Sequence, residues 1–160
     1  MDVRALYGIS ILISFVAFGL VTKFYIWPRL QAMDRDKALL PLIIPHAFRF
    51  IGLSFLVLGV VPSSLPAEFA VPAAYGDLVA AILAIVSSVA LYKRWPLSIL
   101  LVWLFNIWGA ADFLLAFYNG FMVNLDPRML GAAFYIPTVL VPPLLITHGL
   151  IFWLLVRRRR

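Results

Sequence analysis

The chain has two histidines, His46 and His148, and each falls inside a long apolar stretch where an ionisable side chain is costly. Arg49, Asp77 and Asp112 occupy similar positions, as does the amide Asn106. Imidazoles so placed suit three chemistries: axial ligation of haem iron, coordination of zinc or iron, and hydrogen bonding between helices. Deep Arg and Asp side chains suit a fourth, a polar cavity that binds an amphipathic ligand or relays protons or solute. Which of these applies depends on the elements that set the depth and facing of each group.

Those elements are transmembrane helices. Of 160 residues, 64 % are hydrophobic and only 12 % charged, whereas soluble domains are roughly 45–50 % apolar. The mean hydropathy, +1.03, points the same way. A spanning helix needs roughly 20 predominantly apolar residues. Five such stretches, about 5–27, 38–61, 73–92, 97–118 and 132–156, occupy most of the chain. The expectation is an all-α integral membrane protein, a bundle of five transmembrane helices forming one domain over 1–160. Its short connections leave no room for a soluble catalytic domain, so an enzyme is the less expected class. The first stretch outruns the roughly 7–15-residue core of a signal peptide and is read as a span.

The net charge of +6 follows from topology rather than from nucleic-acid binding, which is not expected. With five spans the termini lie on opposite sides. Placing Arg157, Arg158, Arg159 and Arg160 in the cytoplasm puts Lys23, Arg29, Arg35, Lys37, Lys93 and Arg94 there too, leaving Arg4 and Arg128 outside. That bias predicts an outside amino terminus, a cytoplasmic carboxyl terminus, and a bacterial-type cytoplasmic (inner) membrane as the location. The arginine tail is also expected to hold anionic lipid weakly. Trp27-Pro28 and Trp95-Pro96 suit the cytoplasmic boundary, and the 62–72 loop, which has no basic residue, suits the other side. The absence of cysteine removes disulfides, iron–sulfur clusters and covalently attached haem.

A rise of about 1.5 Å per residue converts position into depth. His46, His148 and Asn106 then form a layer roughly 12 Å from the cytoplasmic boundary, with Arg49, Asp77 and Asp112 in a second layer at roughly 16–23 Å. His46 and Arg49, three residues apart, share a helix face. Arg49 is the only deep permanent cation and should pair with Asp77 and Asp112, since an unpaired charge in hydrocarbon costs several kcal/mol. Pro137, Pro142 and Pro143 free the carbonyls of Ala133, Thr138 and Val139, which become candidate acceptors for Arg49. In the third span Gly76, Ala80, Ala84 and Ser88, with Ala73, Asp77 and Ala81 alongside, form a small-residue ridge for close packing within the monomer or for a homodimer. Gly8, Ser10, Ser14 and Gly19 offer a similar approach on the first span.

The leading expectation is a small membrane protein whose intramembrane polar site, His46, Arg49, Asp77, Asn106, Asp112 and His148, binds a small amphipathic ligand or relays protons. Tyr75, Tyr135 and Thr138 would extend this site outward, and Ser87, Ser88 and Thr147 inward. Its expected partners are the lipid bilayer and a small-molecule ligand. One alternative is a bis-histidine electron-transfer protein, with haem b held by His46 and His148 and walled by Phe48, Phe50, Trp103 and Phe105; Arg49, Lys93 or Arg94 would meet its propionates. Another is a structural bundle without ligand, in which the histidines and Asn106 join helices. A two-histidine, one-carboxylate metal centre is not expected. The carboxylates calculate to lie roughly 10 Å from the histidine layer, and no His-Glu-x-x-His motif occurs. The count of five spans is similar to that of the tryptophan-rich sensory or translocator family. That family's Trp-x-Pro-Pro segment is absent and Trp27-Pro28-Arg29 is not equivalent, so no residue role transfers.

Overall fold

A computed structural model describes residues 2–157, of which none is in a strand. Arg158, Arg159 and Arg160, part of the basic tail used to orient the chain, lie outside the described residues. Five helices are long and apolar enough to cross a membrane: α1 (Val3–Ala32), α2 (Arg35–Leu56), α3 (Ala67–Tyr92), α4 (Ser98–Met122) and α5 (Ile136–Val156).

The ends of these helices differ from the sequence expectation where proline is absorbed rather than obeyed. Helix α1 runs past Trp27-Pro28 to Ala32 because a wider π-type turn, Thr22–Ile26, accommodates the missing Pro28 N–H. Helix α5 uses the same device: Ile136–Leu140 is a π-type turn that contains Pro137 and leads into Pro142-Pro143. It begins at Ile136, not near 132, because Pro127–Phe134 forms a separate 3₁₀ segment. Gly131 in that segment, at φ +52°, lies against the Val60 carbonyl, and the Ala132 N–H donates to that carbonyl at 2.8 Å. A side chain at Gly131 would meet both the wrong φ and the Val60 backbone. Helix α3 starts directly after Pro66, six residues before the expected boundary, and α4 continues to Met122.

Helix α2 departs most. It is α-helical only through Ile43, and from Ile44, one residue before Pro45, it tightens into a thirteen-residue 3₁₀ helix ending at Leu56. With about 3.0 residues per turn and a rise of about 2.0 Å, a 3₁₀ helix brings every third side chain into line. His46, Arg49, Gly52 and Phe55 are the buried residues of this stretch. The faster rise also lets α2 finish five residues short of the expected 61.

Contacts define two ends of the bundle. At one, Arg4 Nη2 donates to Asn124 Oδ1 at 3.4 Å and Tyr7 meets Phe134 edge-on at 5.7 Å. At the other, the Trp27 and Trp153 rings lie 4.6 Å apart at an inclination of 43°, and residues 31–37, Tyr92, Arg94, Trp95, Leu154 and Arg157 border an open, polar surface cavity. Helix α3 is the central element, packed between α2 and α4, and Ala73, Ala74, Ala80, Ala81 and Ala84 are buried on it. Its small-residue ridge is therefore used within the monomer. Helix α1 lies on the flank: Gly8 and Gly19 have no neighbour that a methyl group would touch, so no close approach occurs at these two glycines, while Ser14 is the buried residue of its Val3–Val21 portion.

Candidate functional site

Arg49 organises the interior. Its position every third residue along the 3₁₀ stretch turns it inward, and the guanidinium is fully buried. Nε donates to Asp77 Oδ1 at 2.7 Å and Nη2 to Asp112 Oδ2 at 2.6 Å, while Nη1 donates to the Gly109 carbonyl at 3.1 Å. The plane lies over the Phe113 ring at 3.7 Å. Charge-assisted bonds on both edges and a π face below fix a cation that would be prohibitive in hydrocarbon alone. The expected pairing of Arg49 with both carboxylates is present. The remaining acceptor is the Gly109 carbonyl, not the carbonyls of Ala133, Thr138 or Val139.

Three glycines make this approach feasible. A Cβ on Gly52 would collide with the Asp77 carboxylate, one on Gly76 with that of Asp112, and one on Gly109 with both the His148 ring and Arg49 Nη1. Helices α2, α3 and α4 thus each contribute a glycine against a charged group. Gly76 was legible as part of a small-residue ridge. Gly52 and Gly109 were not singled out, and neither was Phe113; the one available signal was a glycine near the middle of a span.

The two layers inferred from depth are one cluster. Arg49 Nη1 lies 3.3 Å from His148 Nε2, which joins the ion pairs directly to the histidine layer. Rise per residue places only backbones, and the reach of the Arg49 side chain closes the calculated gap, which the faster 3₁₀ rise from His46 to Arg49 would by itself widen. Arginine can only donate, so His148 Nε2 accepts and its proton sits on Nδ1. Nδ1 donates to Asn106 Oδ1 at 2.7 Å, and Asn106 Nδ2 donates to the His148 carbonyl at 3.3 Å. His46 Nε2 lies 2.9 Å from Thr147 Oγ1, whose own proton goes to the Leu144 carbonyl at 2.9 Å. His46 therefore donates through Nε2, leaving its buried Nδ1 without a partner.

His46, Arg49, Asp77, Asn106, Asp112 and His148 are all buried, and the contacts above bring them into one region. The proposed extensions do not join it uniformly. Tyr75 and Tyr135 are exposed on the flanks, the Thr138 hydroxyl donates to the Phe134 carbonyl, and the Ser87 hydroxyl donates to the Leu101 carbonyl. Ser88 Oγ has no partner, and only Thr147 contacts a site residue.

The arrangement does not fit a bis-histidine haem. The two imidazoles pack directly on one another, with centroids 4.3 Å apart and planes inclined at 56°, leaving no gap for a macrocycle between them. Both nitrogens of His148 are engaged. Phe105 fills the space beside both rings, at 5.0 and 5.4 Å, whereas Phe48 and Phe50 face away from the bundle. Arg49 is bound to carboxylates, while Lys93 and Arg94 follow the end of α3 at the bundle's boundary.

On its other side the ion cluster forms the floor of a cavity of about 250 Å³. Asp77 and Asp112 are its charged lining groups; Phe55, Phe69, Phe113, Phe117 and Phe121 supply much of its wall, and Tyr7 and Pro127 also line it. Along α4 the lining residues Asp112, Phe113, Ala116, Phe117, Gly120 and Phe121 follow a helical face, and the rise from Asp112 to Phe121 gives a depth of about 13 Å.

Fold and site together define a five-span helical membrane-type bundle with a buried guanidinium between two carboxylates and an apolar cavity above them. Residues 6–156 match the family described as Domain of unknown function (DUF8737), and the chain belongs to that family. No curated protein and no solved structure matches it.

Proposed function

We propose that this is a membrane-embedded binding protein whose cavity takes a small amphipathic ligand, its polar end at Asp77 and Asp112 and its apolar part along α4. The observation that carries this reading is the cavity itself, apolar on its walls and charged only at its floor. Its volume, about 250 Å³, sits just below the roughly 300–1,000 Å³ of pockets for drug-sized molecules, so the ligand is small. In the proposed orientation the amino terminus is outside and the carboxyl terminus cytoplasmic, in a bacterial-type inner membrane. Its support is the gathering of Lys23, Arg29, Arg35, Lys37, Lys93, Arg94 and Arg157 toward the Trp27–Trp153 end, with Arg4 and Arg128 toward the other. The cavity then opens in the outer half of the membrane.

The same geometry counts against the proton relay that the sequence also suggested. A wire from the carboxylates to Thr147 would pass through Arg49, which does not release its proton, and then across the His46–His148 contact, where no hydrogen bond runs between the rings.

Organic extraction and mass spectrometry of the purified protein test the binding reading. A small amphiphile is expected in stoichiometric amount in the wild type and is expected to be lost from Ala116→Phe, which fills the cavity while retaining the ion cluster. Equal recovery from both proteins, or none from either after exchange into lipid extract, would sink it.

A further inference from the structure

With both carboxylates ionised, the polar floor of the cavity is one positive charge short. Arg49 contributes a single cation against Asp77 and Asp112, and its contact with His148 is possible only with that imidazole neutral. Arg49 engages Oδ1 of Asp77 and Oδ2 of Asp112; the second oxygens, Asp77 Oδ2 against Gly52 and Asp112 Oδ1 against Gly76, have no hydrogen-bond donor among the described residues. Both side chains are more than nine-tenths buried, and what exposure remains, 9 and 8 %, belongs to groups that line the cavity. An unbalanced charge at this depth costs several kcal/mol, and the cavity lies beside it.

We propose that the ligand is a hydrophobic cation, a protonated alkylamine in chemical class, whose ammonium group meets Asp77 and Asp112 and whose tail lies along Phe113, Phe117 and Phe121. The inference rests on the ligand-binding reading above and adds the sign of the head group. An ammonium group supplies both missing elements at once: the compensating charge and the donors for the unused oxygens. A carboxylate or phosphate head would add repulsion where two negative charges already sit. A hydroxyl head would supply one donor and leave the charge uncompensated. The apolar wall selects for a chain or ring of hydrocarbon behind the head, because no further polar side chain along α4 above Asp112 lines the cavity.

The test is equilibrium binding of radiolabelled decylamine to the protein in phosphatidylcholine nanodiscs, with empty nanodiscs subtracted for partition into lipid. Unlabelled decylamine, decanol and decanoate serve as competitors. Decylamine should bind saturably and compete about tenfold or more better than decanol, with decanoate weakest. Asp77→Asn and Asp112→Asn each restore charge balance with little change of shape, and each should bring the two competitors to within about threefold. Decanol competing as well as decylamine in the wild type would overturn the cationic head while leaving the ligand reading intact. So would an amine preference that survives both substitutions. Absence of saturable binding by amine and alcohol alike would overturn both. The wild-type ranking stands even if an asparagine variant fails to fold.

Discussion

The bundle has two apolar halves, built differently around the same polar layer. In the half nearer Trp27 and Trp153, Leu39, Leu42, Ile43, Val102, Phe105, Ile151 and Leu154 interlock with Ala84 into a closed core. In the other half, Phe55, Phe69, Phe113, Leu130 and Ile136 gather against Ala70, Ala73 and Ala74, and a cavity of about 250 Å³ remains among them. Leucine and isoleucine opposite alanine fill space layer by layer. Rigid rings opposite alanines and glycines, with α5 widened by its π-type turn, leave a void that reaches the ion cluster. On the proposed reading the closed half carries stability and the open half recognition, with Arg49 in the polar layer between them.

That division is broken most severely by Arg49→Ala. Removing the cation strands two buried carboxylates and should cost about 3–5 kcal/mol, seen as loss of the monodisperse species and a large fall in thermal midpoint. Combining Arg49→Met with Asp77→Ala and Asp112→Ala should recover most of that loss, since the cost lies in the unpaired charges. Next comes Leu39→Ala in the closed half. It should lose about 2 kcal/mol through vanished dispersion contacts, with ligand binding preserved, as measured by unfolding in mild detergent and by extraction of bound amphiphile. Gly109→Ala should cost about 1–3 kcal/mol by pushing a methyl group against His148 and Arg49. Phe117→Ala should change stability least, within about 0.5 kcal/mol, yet weaken ligand retention because it opens the cavity wall. A Phe117→Ala protein that unfolds as readily as Leu39→Ala would erase the distinction between the halves.

Much of this was legible in the chain because hydrocarbon makes charge conspicuous. Five apolar stretches gave five helices, and with one deep Arg and two deep Asp there was one economical pairing. What escaped was governed by backbone geometry. Nothing in Ile44–Leu56 announced thirteen residues of 3₁₀ helix, and so the face shared by His46 and Arg49 could be read while its continuation through Gly52 and Phe55 could not. The π-type turns hid behind Pro28 and Pro137, which ordinarily end helices. The separation of histidines from carboxylates failed because backbone depth leaves out the reach of the Arg49 side chain, which touches His148 as well as both carboxylates. The cavity could not be read at all, because it depends on what fails to meet across α3, α4 and α5.

The central claim, that the ion cluster is the floor of a ligand cavity, is tested most directly by anomalous diffraction from crystals grown with decylamine brominated at its tail carbon. A bromine peak is expected beside Phe117 and Phe121, with the amine end of the difference density against Asp77 and Asp112. Bromine found only on the outer apolar surface of the helices, with the cavity unchanged, would contradict it.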